Sequence, residues 1–324
     1  MKLRSSLLAI LLGGLFLAGS SPVMAEDFPT HPITIVVPYA AGGGTDLLMR
    51  VLQEPLRQFL GQPIIVENKS GAAGAIAARE VAHAAPDGYT LLVANNGIAV
   101  VPLLQTDAGY DFLKDFAALT VVARTPMVVI ANGKLPIKTL PDLIEYGKQE
   151  KKGLQYGSAG VGSLGHLSAE LFASMSGIKL EHLPYRGQNP TMMAVVSGEA
   201  PIAFTSSSDA MLGFAKSDKL KILGVGSSEP SPLLPGVPPI STSLPGYSAE
   251  VWQGVVAPAG TAAVIIAKLN DAFAKALALP GVQQKFVSLT YSAASTTPAQ
   301  FSKEIADEYA RWSTIIRERN IRVE

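Results

Sequence analysis

One junction limits this chain more than any other segment: Ile33-Thr-Ile-Val-Val-Pro-Tyr-Ala-Ala-Gly-Gly-Gly-Thr-Asp46. Ile33 to Val37 is short, apolar and β-branched, the pattern of a buried strand. Gly42, Gly43 and Gly44 follow, and Thr45 or Asp46 is expected to cap a helix running toward Leu60. Glycines let the backbone approach a ligand closely. The first N–H groups of a helix have no partner, and its dipole favours negative charge. Strand, glycine turn and helix start together make a generic cradle for an anion.

The segment before it reads as an export signal. Lys2 and Arg4 precede an apolar core from Leu7 to Ala18, and Val23-Met24-Ala25 is a small-residue cleavage site. A core of about 12 residues spans about 18 Å as a helix, short of the roughly 30 Å of a bilayer. Gly13, Gly14, Gly19 and Pro22 interrupt it further. Residues 1–25 are therefore expected to be a signal peptide, cleaved after Ala25 to release a soluble periplasmic protein. An anion met there is not expected to be a nucleotide. Without Lys2 and Arg4, the 26 basic residues fall two below the 26 acidic ones. A net charge near −2 argues against nucleic acid or an anionic membrane surface as partner. The absence of cysteine excludes disulfides, thiolate metal sites and cysteine nucleophiles.

Strand-like and helix-like segments alternate along the chain, which is the α/β pattern. Strands are expected at 64–67, 89–94, 154–157, 180–184, 202–204 and 220–225, with a further apolar run at 128–131. Helices are expected from the second glycine loop (68–74) to His83, and at 140–148, 164–176, 190–197, 262–279 and 298–319. Ser228 to Pro245 is rich in Pro and Ser and reads as a loop.

Three strand-to-loop junctions are candidate sites: 39–46, 156–163 and 204–209. In open α/β sheets ligands sit at the carboxyl ends of strands, and three such loops in two successive units point to a cleft between two lobes. No dinucleotide or P-loop glycine pattern is present. Around Ser158 and Ser163 the Gly-x-Ser-x-Gly elbow of serine hydrolases lacks its first glycine. His31, His83, His166 and His182 show no metal-ligand spacing. His166 opens a helix beside the 156–163 loop, where it either touches ligand or makes a structural hydrogen bond. Arg186 either pairs with a substrate carboxylate or forms a salt bridge.

The order and spacing of several short pieces carry a resemblance. They include Pro32-Ile-Thr-Ile-Val-Val-Pro38, Gly42-Gly-Gly-Thr-Asp46, Val66-Glu-Asn68 and Pro86-Asp-Gly-Tyr-Thr-Leu-Leu92. Tyr156-Gly-Ser158, His166-Leu167, Glu170-Leu-Phe172, Pro184-Tyr-Arg-Gly187, Ala257-Pro-Ala-Gly-Thr261 and Arg311-Trp312 continue it. The chain resembles the tripartite tricarboxylate transporter substrate-binding family, the Bug or TctC-like proteins. The resemblance implies an α/β, two-lobed periplasmic binding fold of type II-like form, with a mixed sheet and flanking helices in each lobe and the ligand cleft between. Lobe 1 would comprise 26–126 and 251–324, lobe 2 would comprise 127–250, and closure would pivot near 121–131 and 246–257. It also implies a ligand carboxylate held by Tyr39, Ala41, Gly42, Gly43, Gly44, Thr45 and Asp46 on one side. Ser158, Ala159, Gly160, Gly162, Ser163 and His166 would hold it from the other, with Arg186 nearby. Asn95, Asn96, Ser206 and Ser207 would meet the distal end, suggesting a polar, uncharged pocket.

The implied role is capture of a small organic carboxylate (a di- or tricarboxylate, an amino acid or an aromatic acid) by a monomer that delivers it to membrane subunits, with no cofactor, metal or bond chemistry. A periplasmic sensor and an exported hydrolase using Ser158 or Ser163 are the alternatives. Ala41, Ala73, Pro201 and Arg186 depart from the family's usual residues, and Pro55 lies inside the first helix.

Overall fold

The computed structural model describes residues 28–105 and 107–322, so the expected signal peptide lies outside the described residues. No helix among the described residues is long and apolar enough to cross a membrane. Two sheets, each with helices on its faces, share one strand, which gives the two-lobed α/β architecture.

In the first lobe β1 (Ile33–Val37) runs parallel to β2 (Ile64–Asn68) and to β3 (Thr90–Asn95). Strand β9 (Glu250–Pro258) adds antiparallel to β3, and β4 (Phe116–Asn132) adds antiparallel to β9. The short β10 (Ser292–Ala293) closes on β4. Helix α1 (Gly44–Leu60) places Leu48, Leu52 and Leu56 on one stripe, and these bury against Ile33, Ile35 and Val37. Helices α8 (Ala263–Leu277) and α9 (Pro280–Ser288) pack on the same core through Leu269, Phe273 and Phe286. The other face is covered by α2 (Ala75–Ala82) and α3 (Asn96–Leu104).

The second lobe contains β5 (Leu154–Ser158), β6 (Leu180–Pro184), β7 (Ile202–Ser206) and β8 (Leu220–Val225). Strand β5 is parallel to both β6 and β7, whereas β7 and β8 pair antiparallel with β4. Helices α4 (Leu140–Gln149) and α5 (Leu164–Ser176) lie on one face, and α6 (Gln188–Ser197) and α7 (Asp209–Lys216) on the other.

Several elements differ from the sequence expectation. Residues 121–131 belong to the 17-residue β4, in which the apolar run 128–131 is continuous with Phe116 onward. Asn95-Asn96 does not simply end a strand, because Asn95 caps α3 by accepting from Ile98 N–H. The expected helix 262–279 is followed by a separate helix, α9, that starts on Pro280 at its first position. Helix α1 begins at Gly44 after Gly43, so neither Thr45 nor Asp46 caps it, and it continues through Pro55 to Gly61, whose left-handed conformation ends it.

The last helix, α10 (Pro298–Glu318), is not confined to the first lobe as 251–324 would require. Phe301 and Ile305 pack with Trp252 in the first lobe. Trp312, Ile315 and Ile316 pack with Leu167 and Phe172 in the second. The helix thus joins the two cores behind the shared strand. Trp312→Ala should cost about 3–5 kcal/mol, the usual loss for a buried large aromatic, measured by urea unfolding. A loss below about 1 kcal/mol would show that this end of α10 contributes little to the second core.

Candidate ligand-binding site

The first glycine loop is shaped by Asp46, which is almost fully buried. Its carboxylate accepts from Gly42 N–H at 2.8 Å, Arg50 Nε at 2.9 Å and Asn68 Nδ2 at 3.0 Å. Asn68 also donates to the Tyr39 carbonyl at 3.1 Å, which ties the loop to β2. Burial pushes the Asp46 carboxyl up, but Arg50, Gly42 N–H and Asn68 outweigh it and hold it below the ordinary value. The Asp46 side chain is therefore an internal brace, which leaves its backbone N–H for a ligand.

Gly42 has φ +81°, a conformation that disfavours a side chain. A Cβ on Gly44 would fall 2.7 Å from the Tyr291 hydroxyl, so Tyr291 closes over the helix start. Gly43 N–H bonds to the Ala40 carbonyl. The N–H groups of Gly44, Thr45 and Asp46 precede the first intrahelical bond and have no acceptor among the described residues. Tyr39 Oη accepts from Asn95 Nδ2 at 2.7 Å, which places Asn95 on this wall. Asn96 departs from the expectation. Its amide donates to Glu308 and to the Glu250 carbonyl and accepts from Trp252 N–H, so it is turned into the core.

The second loop follows β5. Gly160 and Gly162 have φ +129° and +75°. Much of its hydrogen bonding is internal. Gly160 N–H donates to Ser158 Oγ, Gly162 N–H to His166 Nδ1, and Ser163 N–H to the Gly160 carbonyl. Ser163 caps α5 by accepting from His166 N–H. Ser158 is fully buried, and its hydroxyl lies 2.6 Å from His182 Nε2. Both features oppose the expected role of Ser158 as a ligand donor. Among the described residues, the N–H groups of Ala159, Val161, Leu164 and Gly165 have no acceptor. A Cβ on Gly165 would lie 2.3 Å from the Phe204 carbonyl, so α5 must start hard against β7.

His182 was not singled out in the sequence, where a lone histidine in a strand carries no signal. It stacks on His166 at 4.0 Å between ring centroids and on Tyr156 at 4.9 Å. Because His166 Nδ1 accepts from Gly162, its Nε2 carries the proton of the neutral ring. Burial pushes both imidazoles down, to about 4 each, with His182 adding to the effect on His166. Arg186 is exposed beside the loop, with no ion pair among the described residues. Ser206 accepts at its carbonyl from Gln188 Nε2 at 2.6 Å, and Ser207 Oγ is buried without a partner among the described residues.

A cavity of about 290 Å³ lies elsewhere, among Arg124, Glu250, Glu304, Lys303, Asp307 and Arg311. Arg124 already holds Glu304 through two bonds of 2.7 and 2.8 Å and Glu250 at 3.2 Å. Its cations are largely answered by its own carboxylates, whereas the two glycine loops offer donors with none. The loops are therefore the better anion site.

The paired histidines set a pH dependence. The unfolded chain binds these protons near 6.5 and the folded chain only near 4. The stability given by the neutral rings is complete above about 6.5 and lost as pH falls toward about 4, on the order of 2 kcal/mol per ring. Melting temperature should fall over that interval, and His182→Gln should flatten the fall. Equal slopes in both proteins would remove the imidazoles as the cause.

Residues 48–321 match the model of the tripartite tricarboxylate transporter family receptor. Protein BugT of Bordetella pertussis (strain Tohama I / ATCC BAA-589 / NCTC 13251) is 34% identical over 318 residues, covering 96% of this chain and 97% of that protein. A TctC solute-binding protein from Polaromonas superposes with a TM-score of 0.81 at 26% identity, covering 90% of this chain and 99% of that one. Rpa4515 of R. palustris, solved with adipate, gives 0.73 at 32% identity over 91% of this chain and 99% of that one. MatC of Rhodopseudomonas palustris, solved with bound malate, gives 0.68 at 31% identity over 89% and 100%. With the two-lobed fold and the paired donor loops, these likenesses place the chain in the family of tripartite tricarboxylate transporter receptors, the periplasmic solute-binding proteins of the TctC and Bug type.

Proposed function

We propose that this protein captures a small organic carboxylate in the periplasm and delivers it to the membrane subunits of a tripartite tricarboxylate-type transporter. The observation that carries this reading is the pair of helix N-termini, α1 and α5, whose first N–H groups (Gly44, Thr45 and Asp46, and Leu164 and Gly165) have no acceptor among the described residues. Each follows a parallel strand, one in each lobe. A carboxylate between them would receive backbone donors and two favourable dipoles. His166 Nε2–H adds a neutral donor, and Tyr39, Asn95 and Tyr291 supply the opposite wall. Adipate and malate in the two related structures are carboxylates of the expected size. Lobe closure about β4 would sequester the acid, with the closed state selected by the ligand. Cleavage after Ala25 would release the mature form.

The Ser158–His182 hydrogen bond gives the hydrolase alternative its one specific support. Against it, Ser158 is inaccessible, and no carboxylate among the described residues orients His182. The nearby Glu170 instead accepts from Tyr156. We read Ser158 as a loop brace, with binding and no catalysis at this site.

A thermal-shift screen of mono-, di- and tricarboxylates should find at least one stabiliser. At a hundredfold excess over Kd, the shift corresponds to about 2.7 kcal/mol. Ligand-free, folded protein that responds to none of a broad panel would defeat the proposal. Gly42→Val, which forces a β-branched residue into a positive φ, should weaken binding at least tenfold. Gly43→Ala, at an ordinary φ, should weaken it less. Equal effects would move the anion away from this loop. Ester hydrolysis that disappears in Ser158→Ala would instead establish the enzyme.

A further inference from the structure

The two lobes meet in a crevice of about 180 Å³. Its second-lobe wall carries Ser207, Asp209, Leu212 and Leu234, and its first-lobe wall carries Val287 and Thr290. Both walls are anchored to adjacent residues of β4. Ser207 N–H donates to the Pro126 carbonyl at 3.2 Å, and Thr125 Oγ1 donates to the Thr290 carbonyl at 3.3 Å. The crevice therefore sits at the point where the shared strand passes from one lobe to the other.

Each wall leads by a short step to one half of the candidate anion site. On one side Thr290 adjoins Tyr291, whose hydroxyl lies against Gly44 at the start of α1. On the other, Ser207 follows β7, which runs beside β5 and its donor loop. A ligand whose carboxylate occupies the cradle would extend its far end here.

The lining sets the chemistry of that end. Leu212, Leu234 and Val287 make one side apolar. Ser207 is more than nine-tenths buried, and its hydroxyl has no partner among the described residues, so it is the one unmet polar group of this wall and a ligand substituent that reached it would satisfy it. No lysine or arginine lines the crevice, and Asp209 does. A second carboxylate would meet a like charge and no counter-ion. An apolar cavity of about 150 Å³ is enough to take up a benzene ring. The polar, uncharged distal pocket expected from the serines is thus half apolar.

We propose that the far end of the ligand is an uncharged, largely apolar group of about one ring, carrying at most one hydrogen-bonding substituent for Ser207. The preferred ligand is then an aromatic or similarly bulky monocarboxylate, in contrast to the dicarboxylates held by the two related proteins. This inference rests on the carboxylate-binding reading above.

The test is calorimetric titration of the mature protein with two series. One is aromatic monocarboxylates with zero to three methylenes between ring and carboxylate. The other is aliphatic dicarboxylates of matching length, with acetate as a reference. At least one aromatic acid should bind tenfold or more tightly than every dicarboxylate. Val287→Trp, a change at an exposed position that narrows the crevice, should cut the aromatic-to-acetate preference at least fivefold with the melting temperature retained. Asp209→Asn should improve the dicarboxylates relative to the aromatic acids. Dicarboxylates that bind more tightly than every aromatic acid, or an aromatic preference unmoved by Val287→Trp, overturn the inference and leave carboxylate capture standing. If neither series nor acetate binds, carboxylate capture fails and this inference fails with it.

Discussion

The structure depends on one strand serving two sheets. Strand β4 pairs with β9 through Pro126, then with β7 and β8 from Met127 onward. A proline inside a central strand normally removes a ladder bond at a cost, so sheets exclude it. Here it falls where the strand changes partners, and the missing N–H matches a gap that the topology already requires. Its carbonyl remains useful and takes Ser207 N–H from the second lobe. Two lobes joined through a continuous strand keep a fixed register with each other while still able to twist, as a binding cleft must.

From that strand the anion site follows by topology. Parallel strands β1 and β5 each deliver the chain to a helix start at their carboxyl ends. The side chains nearby brace the loops and leave the backbone to do the binding. Asp46 occupies Gly42 N–H, Ser158 occupies Gly160 N–H, and His166 occupies Gly162 N–H. These bonds fix the turns, while the amides of Gly44, Thr45 and Asp46 and those of Ala159, Val161, Leu164 and Gly165 find no acceptor among the described residues. With about four charge-assisted bonds at about 1.5–3 kcal/mol each, the gross gain is about 6–12 kcal/mol. Association costs several kcal/mol of that, and micromolar affinity needs about 8 kcal/mol net. Backbone donors alone are therefore marginal, and an apolar contact at the far end of the ligand, as proposed above, would make up the difference.

Much of this was legible in the sequence because it is local. Glycine runs after β-branched strands announce the loops, and the apolar stripe of Leu48, Leu52 and Leu56 announces α1. What the sequence hid depends on distant partners. Asn96 reads as a polar residue at a strand end, yet its partners Trp252 and Glu308 lie 156 and 212 residues away. His182 matters only because β6 sets it against Ser158 and His166. Tyr291 carries no motif and reaches the site because α9 turns it over Gly44. The individual amides left free could not be read at all, since that depends on which side chains occupy the others.

The charged groove along α10 completes the mechanical argument. Arg124 stands two residues before Pro126, Glu250 opens the strand returning from the second lobe, and Glu304 projects from the helix that joins both cores. Glu308, deeper in the same groove, is pushed up by burial despite donation from Trp252 and Asn96. A buried carboxyl left without those donors would be strongly unfavourable, so the cluster fixes β9, α3 and α10 as a unit. It lies close to the pivot, where rotation of one lobe displaces atoms least. The lobes can therefore close on a ligand at the far ends of β1 and β5 without breaking this network. Stability is concentrated at the hinge, and the free donors are left at the mouth of the cleft.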